Sequence, residues 1–173
     1  MRYKTKDIGD GGIDLSVVVS EAWLASAVPD TSLGLSAAGV RLDGRLEPAG
    51  DDYLLRGTLS GQLTVPCARC LEPAPVAVDS PIAVTFVERD EPEADSEEDT
   101  DDEAISFQHG VIDLGVAIRD EILLAVPMTA VCRDDCAGIC PVCGGNRNLT
   151  PCDCEKRANQ TSKLGVLAKI KLQ

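Results

Sequence analysis

The first half of the chain is dominated by apolar positions that alternate with polar ones. This alternation runs through residues 13–19, 40–46 and 53–65, and residues 81–87 form a further apolar run rich in β-branched side chains. A period of two is typical of strands that bury one face. Because residues 47–52 contain a cluster of turn formers, we predict that the second and third of these strands form a hairpin.

The pattern changes to a helical period after Asp113. This residue is a suitable N-cap for a helix over residues 114–126, which Pro127 would end. The apolar face of that helix consists of Leu114, Ala117, Ile118, Ile122 and Ala125. We expect this face to cover the sheet, and we predict further short helices over residues 21–28 and 162–172.

Acidic residues are concentrated in one segment of this 173-residue chain, whose formal net charge is −13. Between residues 88 and 103, eleven acidic side chains and a single basic one, Arg89, give a charge of −10. This segment has little apolar surface to bury and its charges repel one another, so we expect disorder. The excess of acid also argues against nucleic-acid binding through the whole surface.

A basic segment at the C-terminal end is the local exception. Five cations follow the last cysteine and are opposed only by Glu155. They are Lys156, Arg157, Lys163, Lys169 and Lys171. We favour the solvated face of a terminal helix over a contact with RNA phosphates, although five cations suffice for either role.

Eight cysteines carry the specific chemistry of this chain. They are Cys67, Cys70, Cys132, Cys136, Cys140, Cys143, Cys152 and Cys154. Zn²⁺ prefers four soft ligands in a tetrahedron, and the two-residue spacers after Cys67 and Cys140 direct two thiolates towards one ion. Eight thiols therefore predict two structural zinc ions with no cysteine left over.

Disulfides and redox chemistry are the alternative interpretations of the same cysteines. The start of the sequence has no apolar signal core and no apolar run is long enough to span a membrane, so we expect a cytoplasmic protein. Disulfides would need an oxidising compartment. Redox pairs of this spacing usually open a helix, whereas Cys67 and Cys70 follow a strand-like run and precede Pro73.

Two groupings of the cysteines around the metal ions remain open. The preferred one joins Cys140 and Cys143 to the Cys152-x-Cys154 pair, because eight residues close a small loop, and joins Cys67 and Cys70 to Cys132 and Cys136. The rival makes one local site of Cys132, Cys136, Cys140 and Cys143. In that grouping, the Cys67-x2-Cys70 pair and the Cys152-x-Cys154 pair would share the second ion.

Recognised catalytic motifs are absent from the sequence. There is no Gly-x-Ser-x-Gly elbow, no phosphate-binding glycine loop and no His-Glu-x-x-His motif, and His109 is the only histidine. Catalytic zinc keeps an open coordination position, whereas four thiolates close the tetrahedron. We therefore expect a protein that is not an enzyme and has no small-molecule substrate.

These patterns together predict an α+β fold. An antiparallel β-rich N-terminal half would be covered by one or two helices, with a small cysteine-rich zinc segment near the C-terminus. We expect residues 1–87 to form the β-rich region and residues 88–108 an acidic, disordered linker. A helix within residues 109–131 would pack on the sheet, and residues 132–173 would hold the zinc segment and a basic helix.

Four segments of the chain form a distinctive combination. They are Cys67-Ala-Arg-Cys70-Leu, the stretch from Ile112-Asp-Leu-Gly to Arg119-Asp-Glu-Ile-Leu-Leu-Ala-Val-Pro127, the run from Cys132 to Gly144, and Leu164-Gly-Val-Leu-Ala-Lys-Ile170. Together, in this order and spacing, they resemble the bacterial YceD family. The resemblance covers roughly residues 53–172 and includes the acidic insertion. The first 52 residues carry no diagnostic motif.

The resemblance implies a small non-enzymatic protein needed for accumulation of large-subunit (23S) ribosomal RNA, and so a role in ribosome assembly. Ribosomal proteins or a large-subunit precursor would be its partners, and the basic C-terminal segment would make any direct RNA contact. A hypothesis of another class, which the thiols allow, is a redox or zinc-responsive regulatory protein. Metal content and thiol reactivity distinguish the two.

Overall fold

The computed structural model describes residues 1–29, 33–89 and 104–154 of the chain. Contacts divide it into two compact units. Unit 1 comprises Met1–Val65 and Pro75–Met128, and unit 2 comprises Pro66–Ala74 and the residues from Thr129 onward. The predicted helix over residues 162–172, the basic C-terminal segment and the acidic residues 90–103 lie outside the described residues.

The described residues form seven strands, two α-helices and a single 3-10 turn at Thr5–Asp7. The strands are β1 (Arg2–Lys4), β2 (Ile13–Val19), β3 (Gly34–Ala49), β4 (Asp52–Pro66), β5 (Pro73–Glu88), β6 (Ala104–Phe107) and β7 (Val111–Asp113). The helices are α1 (Glu21–Ala27) and α2 (Leu114–Ala125). This strand-rich composition with two helices confirms the predicted α+β class.

In the described part of the chain, five strands form one sheet in the order β2-β3-β4-β5-β6, and β1 pairs with β7 in a second sheet. Strand β3 is antiparallel to both β2 and β4. The last pair of the β3–β4 ladder is Ala49 with Asp52, so only two residues connect the strands, and Gly50 supplies the positive φ of 73° that this tight turn needs. The predicted hairpin is confirmed.

Strand β6 differs from the sequence expectation in two ways. It pairs with β5 in parallel, so the sheet is mixed rather than wholly antiparallel. It also lies within residues 88–108, which we predicted to be a disordered linker, and that prediction is wrong for Ala104–Phe107. These four residues are ordered because the strand buries an aromatic side chain. Phe107 is 5% exposed, and its ring packs edge-on against Tyr53 with centroids 5.9 Å apart.

The core of unit 1 is aliphatic. Alternate leucines of β3 and β4 are fully buried, as the period-two pattern predicts. They are Leu42, Leu46, Leu55, Leu59 and Leu63. In β5, Phe86 is likewise fully buried.

Helix α2 begins where the sequence predicts. The Asp113 carboxylate accepts a hydrogen bond from the Gly115 backbone N–H at 2.9 Å, which confirms the N-cap. Leu114, Ala117, Ile118 and Ile122 are buried, and the helix contacts β1 and α1. Among the described residues, no helix has both the length and the apolar character needed to cross a membrane.

Candidate metal centres

All eight cysteines lie in unit 2, and none of them forms a disulfide. Their sulfur atoms form two groups of four, and the atoms of each group lie within 4.8 Å of one another. The long-range cluster consists of Cys67, Cys70, Cys132 and Cys136, and the local cluster consists of Cys140, Cys143, Cys152 and Cys154. The structure thus brings the sulfurs together in the preferred grouping and not in the rival one.

The first turn of the long-range cluster closes between β4 and β5. The Leu71 N–H donates to the Cys67 carbonyl at 2.9 Å, and the Cys67 N–H donates to the Glu72 carbonyl at 2.8 Å. This turn requires Leu71 to adopt a φ of 63°, which is unfavourable for a side chain other than glycine. The turn points both cysteine side chains inwards, leaving Cys67 fully buried and Cys70 4% exposed.

The first turn of the local cluster repeats this geometry. The Gly144 N–H donates to the Cys140 carbonyl at 2.9 Å, and the Cys140 N–H donates to the Gly145 carbonyl at 2.9 Å. Gly144 has a φ of 71° and therefore occupies the position that Leu71 occupies in the other turn. Two Cys-x2-Cys segments far apart in the sequence have thus folded into the same hydrogen-bonded turn.

Cys132 and Cys136 reach the long-range cluster because unit 2 joins two distant segments. The Ala68 N–H donates to the Ala130 carbonyl at 2.8 Å, and the Ile139 N–H donates to the Arg69 carbonyl at 2.9 Å. The Arg69 guanidinium also donates to the carbonyl of Cys136 at 3.3 Å. Together these bonds hold the Cys132-x3-Cys136 turn against the Cys67 turn.

Gly138 allows the close approach of these two segments. It has a φ of 69°, and a Cβ atom at this position would lie 2.9 Å from the Arg69 carbonyl oxygen. Neither the backbone conformation nor the contact suits a larger residue. This glycine has a structural role that we did not identify from the sequence.

The distances between the sulfur atoms fit a four-coordinate metal ion. Cys70 Sγ and Cys132 Sγ are 3.6 Å apart, and Cys67 Sγ and Cys136 Sγ are 3.9 Å apart. A tetrahedron with Zn–S bonds of about 2.3 Å has edges of about 3.8 Å, whereas a disulfide brings its sulfurs to about 2.05 Å. Four thiolates at this spacing are a donor set that suits Zn²⁺ and closes its coordination sphere.

The thiols of the long-range cluster differ in acidity. Burial raises the pKa of Cys67, but the backbone N–H groups of Cys132, Arg69 and Cys70 outweigh it and lower the pKa to about 6. Burial raises the pKa of Cys132 to about 12, and the neighbouring sulfurs, Cys136 among them, act in the same direction. A bound cation would be required to keep all four groups ionised together.

The thiols of the local cluster also differ in their pKa values. Backbone N–H groups of Cys143 and Val142 lower the pKa of Cys140 to about 6. The pKa of Cys154 is raised to about 12, first by the side chains of Cys143 and Cys152 and then by burial. Each cluster therefore combines a thiol that ionises readily with one that ionises only with help from a positive charge.

Two asparagine side chains form hydrogen bonds beside the long-range cluster, and neither was identified from the sequence. Asn148 Nδ2 donates to Cys136 Sγ at 3.3 Å, and Asn146 Nδ2 donates to the Glu72 carboxylate at 3.2 Å. Hydrogen bonds to a ligand sulfur orient it and stabilise its ionised form. The available signal was two asparagines in the short loop between Cys143 and Cys152, but asparagine is also common in loops without such a role.

The fold and site define a class of protein in which a strand-rich unit accompanies a small unit built around two clusters of four cysteines. The model of a protein family described as Large ribosomal RNA subunit accumulation protein YceD matches residues 55–171, a range that includes every cysteine. This chain belongs to the YceD family.

The chain is similar to proteins of bacteria and plants. An uncharacterized protein of Mycobacterium tuberculosis is 36% identical over 103 residues, which cover 60% of this chain and 49% of that protein. A Zea mays protein described as Large ribosomal RNA subunit accumulation protein YCED homolog 1, chloroplastic, is 30% identical over 157 residues, covering 76% of this chain and 51% of that protein. The chain spans about half the length of these relatives. No solved structure matches it.

Proposed function

We propose that this protein is a zinc-stabilised, non-enzymatic factor that supports accumulation of large-subunit (23S) ribosomal RNA and ribosome assembly in the cytoplasm. The observation that carries the proposal is the pair of four-cysteine clusters, each with its sulfur atoms within 4.8 Å of one another, inside the region that matches the family. The family description supports the ribosomal role.

The composition of the unit 2 core supports a structural role for the metal. Among its described residues, the buried apolar positions are four cysteines and Ala74. They are Cys67, Cys70, Cys136 and Cys140. Such a small unit has no aliphatic core to offset its chain entropy, so metal binding would supply the free energy of folding.

The proposed metal ions would not take part in a reaction. Each would be held by four thiolates, with no coordination position left for water or substrate. Cys67, Cys70, Cys132 and Cys136 would hold one zinc ion, and Cys140, Cys143, Cys152 and Cys154 the other. The protein would act by presenting a stable surface to its partners, which we propose to be ribosomal proteins or a large-subunit precursor. The basic segment would make any contact with RNA.

Depletion of the protein in its own cells tests this role. We expect 23S ribosomal RNA to fall relative to small-subunit RNA, and affinity capture of the tagged full chain to recover large-subunit precursor components. A Cys70→Ser, Cys132→Ser variant should fail to restore 23S ribosomal RNA. Leu149→Ala, which alters an exposed side chain of unit 2, should restore it. Unchanged 23S ribosomal RNA on depletion would refute the assembly role.

A zinc- or redox-responsive regulator is the second candidate, favoured by the exposure of one cysteine. Cys143 is exposed, and Cys152 and Cys154 are half-buried. Metal content and alkylation after purification under reducing conditions separate the two functions. About two zinc ions per chain with unreactive thiols support the structural factor, whereas metal-free and readily alkylated cysteines support the regulator.

A further inference from the structure

The loop that the local cluster closes also reaches a sulfur atom of the long-range cluster. Residues 144–151 connect Cys143 to Cys152, whose Sγ atoms lie 3.9 Å apart. Within this loop, Asn148 donates from Nδ2 to Cys136 Sγ at 3.3 Å. One side chain therefore belongs to the loop of one cluster and contacts a proposed metal ligand of the other.

The orientation of the Asn148 amide follows from its other hydrogen bonds. Its Oδ1 accepts from the Ala137 N–H at 2.8 Å and from the Arg133 guanidinium at 2.9 Å. Because the amide oxygen already has two donors, the amide nitrogen faces Cys136 Sγ and donates to it. The nitrogen also donates to Asn146 Oδ1 at 2.9 Å.

The backbone of the same loop is bonded both to Cys140 of the local cluster and to Gly138, which lies in the segment between the two clusters. The Cys140 N–H donates to the Gly145 carbonyl, and the Arg147 N–H donates to the Gly138 carbonyl, both at 2.9 Å. The position of Asn148 therefore depends on how firmly the loop is closed.

We infer that Asn148 couples the two clusters, so that a metal ion in the local cluster strengthens metal binding in the long-range cluster. The inference rests on the zinc binding proposed above. An ion that held Cys143 and Cys152 would restrict residues 144–151 and pre-position the Asn148 amide, whose N–H stabilises the Cys136 thiolate. The coupling is reciprocal, because each metal ion must change the affinity for the other by the same factor.

Cobalt titrations of the full chain in competition with a chelator measure this coupling. Cys143→Ser with Cys154→Ser leaves only the long-range cluster, and Cys70→Ser with Cys132→Ser leaves only the local one. The overall affinity of the unchanged protein for two ions, divided by the product of the two single-cluster affinities, is the coupling factor. We expect a factor of about 10, within the range of about 5–150 that is typical of coupled sites.

Asn148→Ala, introduced into all three proteins, tests whether this residue carries the coupling. We expect the factor to fall towards one and the affinity of the isolated local cluster to stay unchanged. Leu149→Ala is the matched control, because this neighbour is 75% exposed, and it should leave the factor as it was. The side chain of Asn148→Ser is too short to bridge the same partners, so this variant should lower the coupling factor in the same way. It replaces Asn148→Ala if that variant folds poorly.

Two failures are distinguishable. A coupling factor of one in the unchanged protein, or a factor that Asn148→Ala and Leu149→Ala alter equally, overturns the inference and leaves zinc binding intact. Failure of the unchanged protein to bind either cobalt or zinc overturns the zinc proposal itself.

Discussion

The two sulfur clusters share one type of turn but differ in how their second pair of cysteines is supplied. In the local cluster, Cys152 follows Cys143 by nine residues, whereas in the long-range cluster Cys132 follows Cys70 by 62 residues. Three cysteines of the long-range cluster are buried, while the local cluster includes the exposed Cys143. The same donor set thus occurs in two different structural settings.

From this difference we infer that the two groups of four cysteines would serve different structural purposes when metal is bound. The local cluster closes a short loop and needs little help from other segments. The long-range cluster needs specific contacts between distant segments, such as the Arg69 guanidinium with the carbonyls of Asp134 and Cys136 at 3.1 and 3.3 Å. One cluster orders a loop, and the other joins two parts of the chain.

Removal of the two proposed zinc ions should have the largest effect, since it affects both clusters at once. A strong chelator should cause the NMR signals of residues 66–74 and 129–154 to lose their dispersion, because structural zinc sites contribute about 10–16 kcal/mol of binding free energy. The signals of strands β2, β3 and β4 should persist. Retention of dispersed signals in unit 2 without metal would contradict this prediction.

Variants that lack only one cluster should show that each cluster orders a different part of the chain. Cys70→Ser with Cys132→Ser should reduce the metal content by one ion and expose residues 66–74 to hydrogen exchange. Cys143→Ser with Cys154→Ser should also remove one ion but should expose chiefly residues 144–151. Mass-spectrometric hydrogen exchange measures both patterns, and identical patterns would show that the two clusters do not differ in this way.

Substitution of one glycine near each cluster should give a smaller difference, which appears in the free energy of unfolding. Gly138→Ala should lower the free energy of unfolding by about 2 kcal/mol or more, because it combines an unfavourable φ with a clash against the Arg69 carbonyl. Gly144→Ala should cost about 1 kcal/mol, because the same φ problem arises in open space. Denaturation of the zinc-loaded proteins measures both, and equal losses would contradict the proposed clash.

Leu71→Gly should produce the smallest effect and should be stabilising. It removes a strain of about 1–2 kcal/mol from a φ of 63°, and the greater freedom of glycine in the unfolded chain offsets about 0.4–1 kcal/mol of that gain. We expect a net increase of about 0.5–1 kcal/mol in the free energy of unfolding. Gly144→Leu is the reverse control and should destabilise the local turn.

Local sequence signals predicted much of the fold. The strand at Ile13–Val19, the β3–β4 hairpin and the Asp113 cap are each determined by neighbouring residues, and the structure confirms them. Strand β6 was missed because Ala104–Phe107 is too short for a clear period and its pairing with β5 is long-range. The strands β1 and β7 were missed for the same reason.

The candidate site was predictable in composition but not in its surroundings. Cysteine spacing suggested which sulfurs lie together, because a short loop favours the local group and leaves the other four. The role of Gly138 and Asn148 depends on how Arg69 and Cys136 approach them in space. No periodic pattern in the sequence encodes such an approach.

The long-range cluster also imposes an order of events on biosynthesis. Cys67 and Cys70 leave the ribosome first, and Cys132 and Cys136 follow 62 or more residues later. At about 5–20 residues per second, this interval lasts roughly 3–12 seconds. Throughout that time Cys67 and Cys70 lack the second pair of cysteines of their cluster. The assembly of unit 2 is therefore a late step in the synthesis and folding of each molecule.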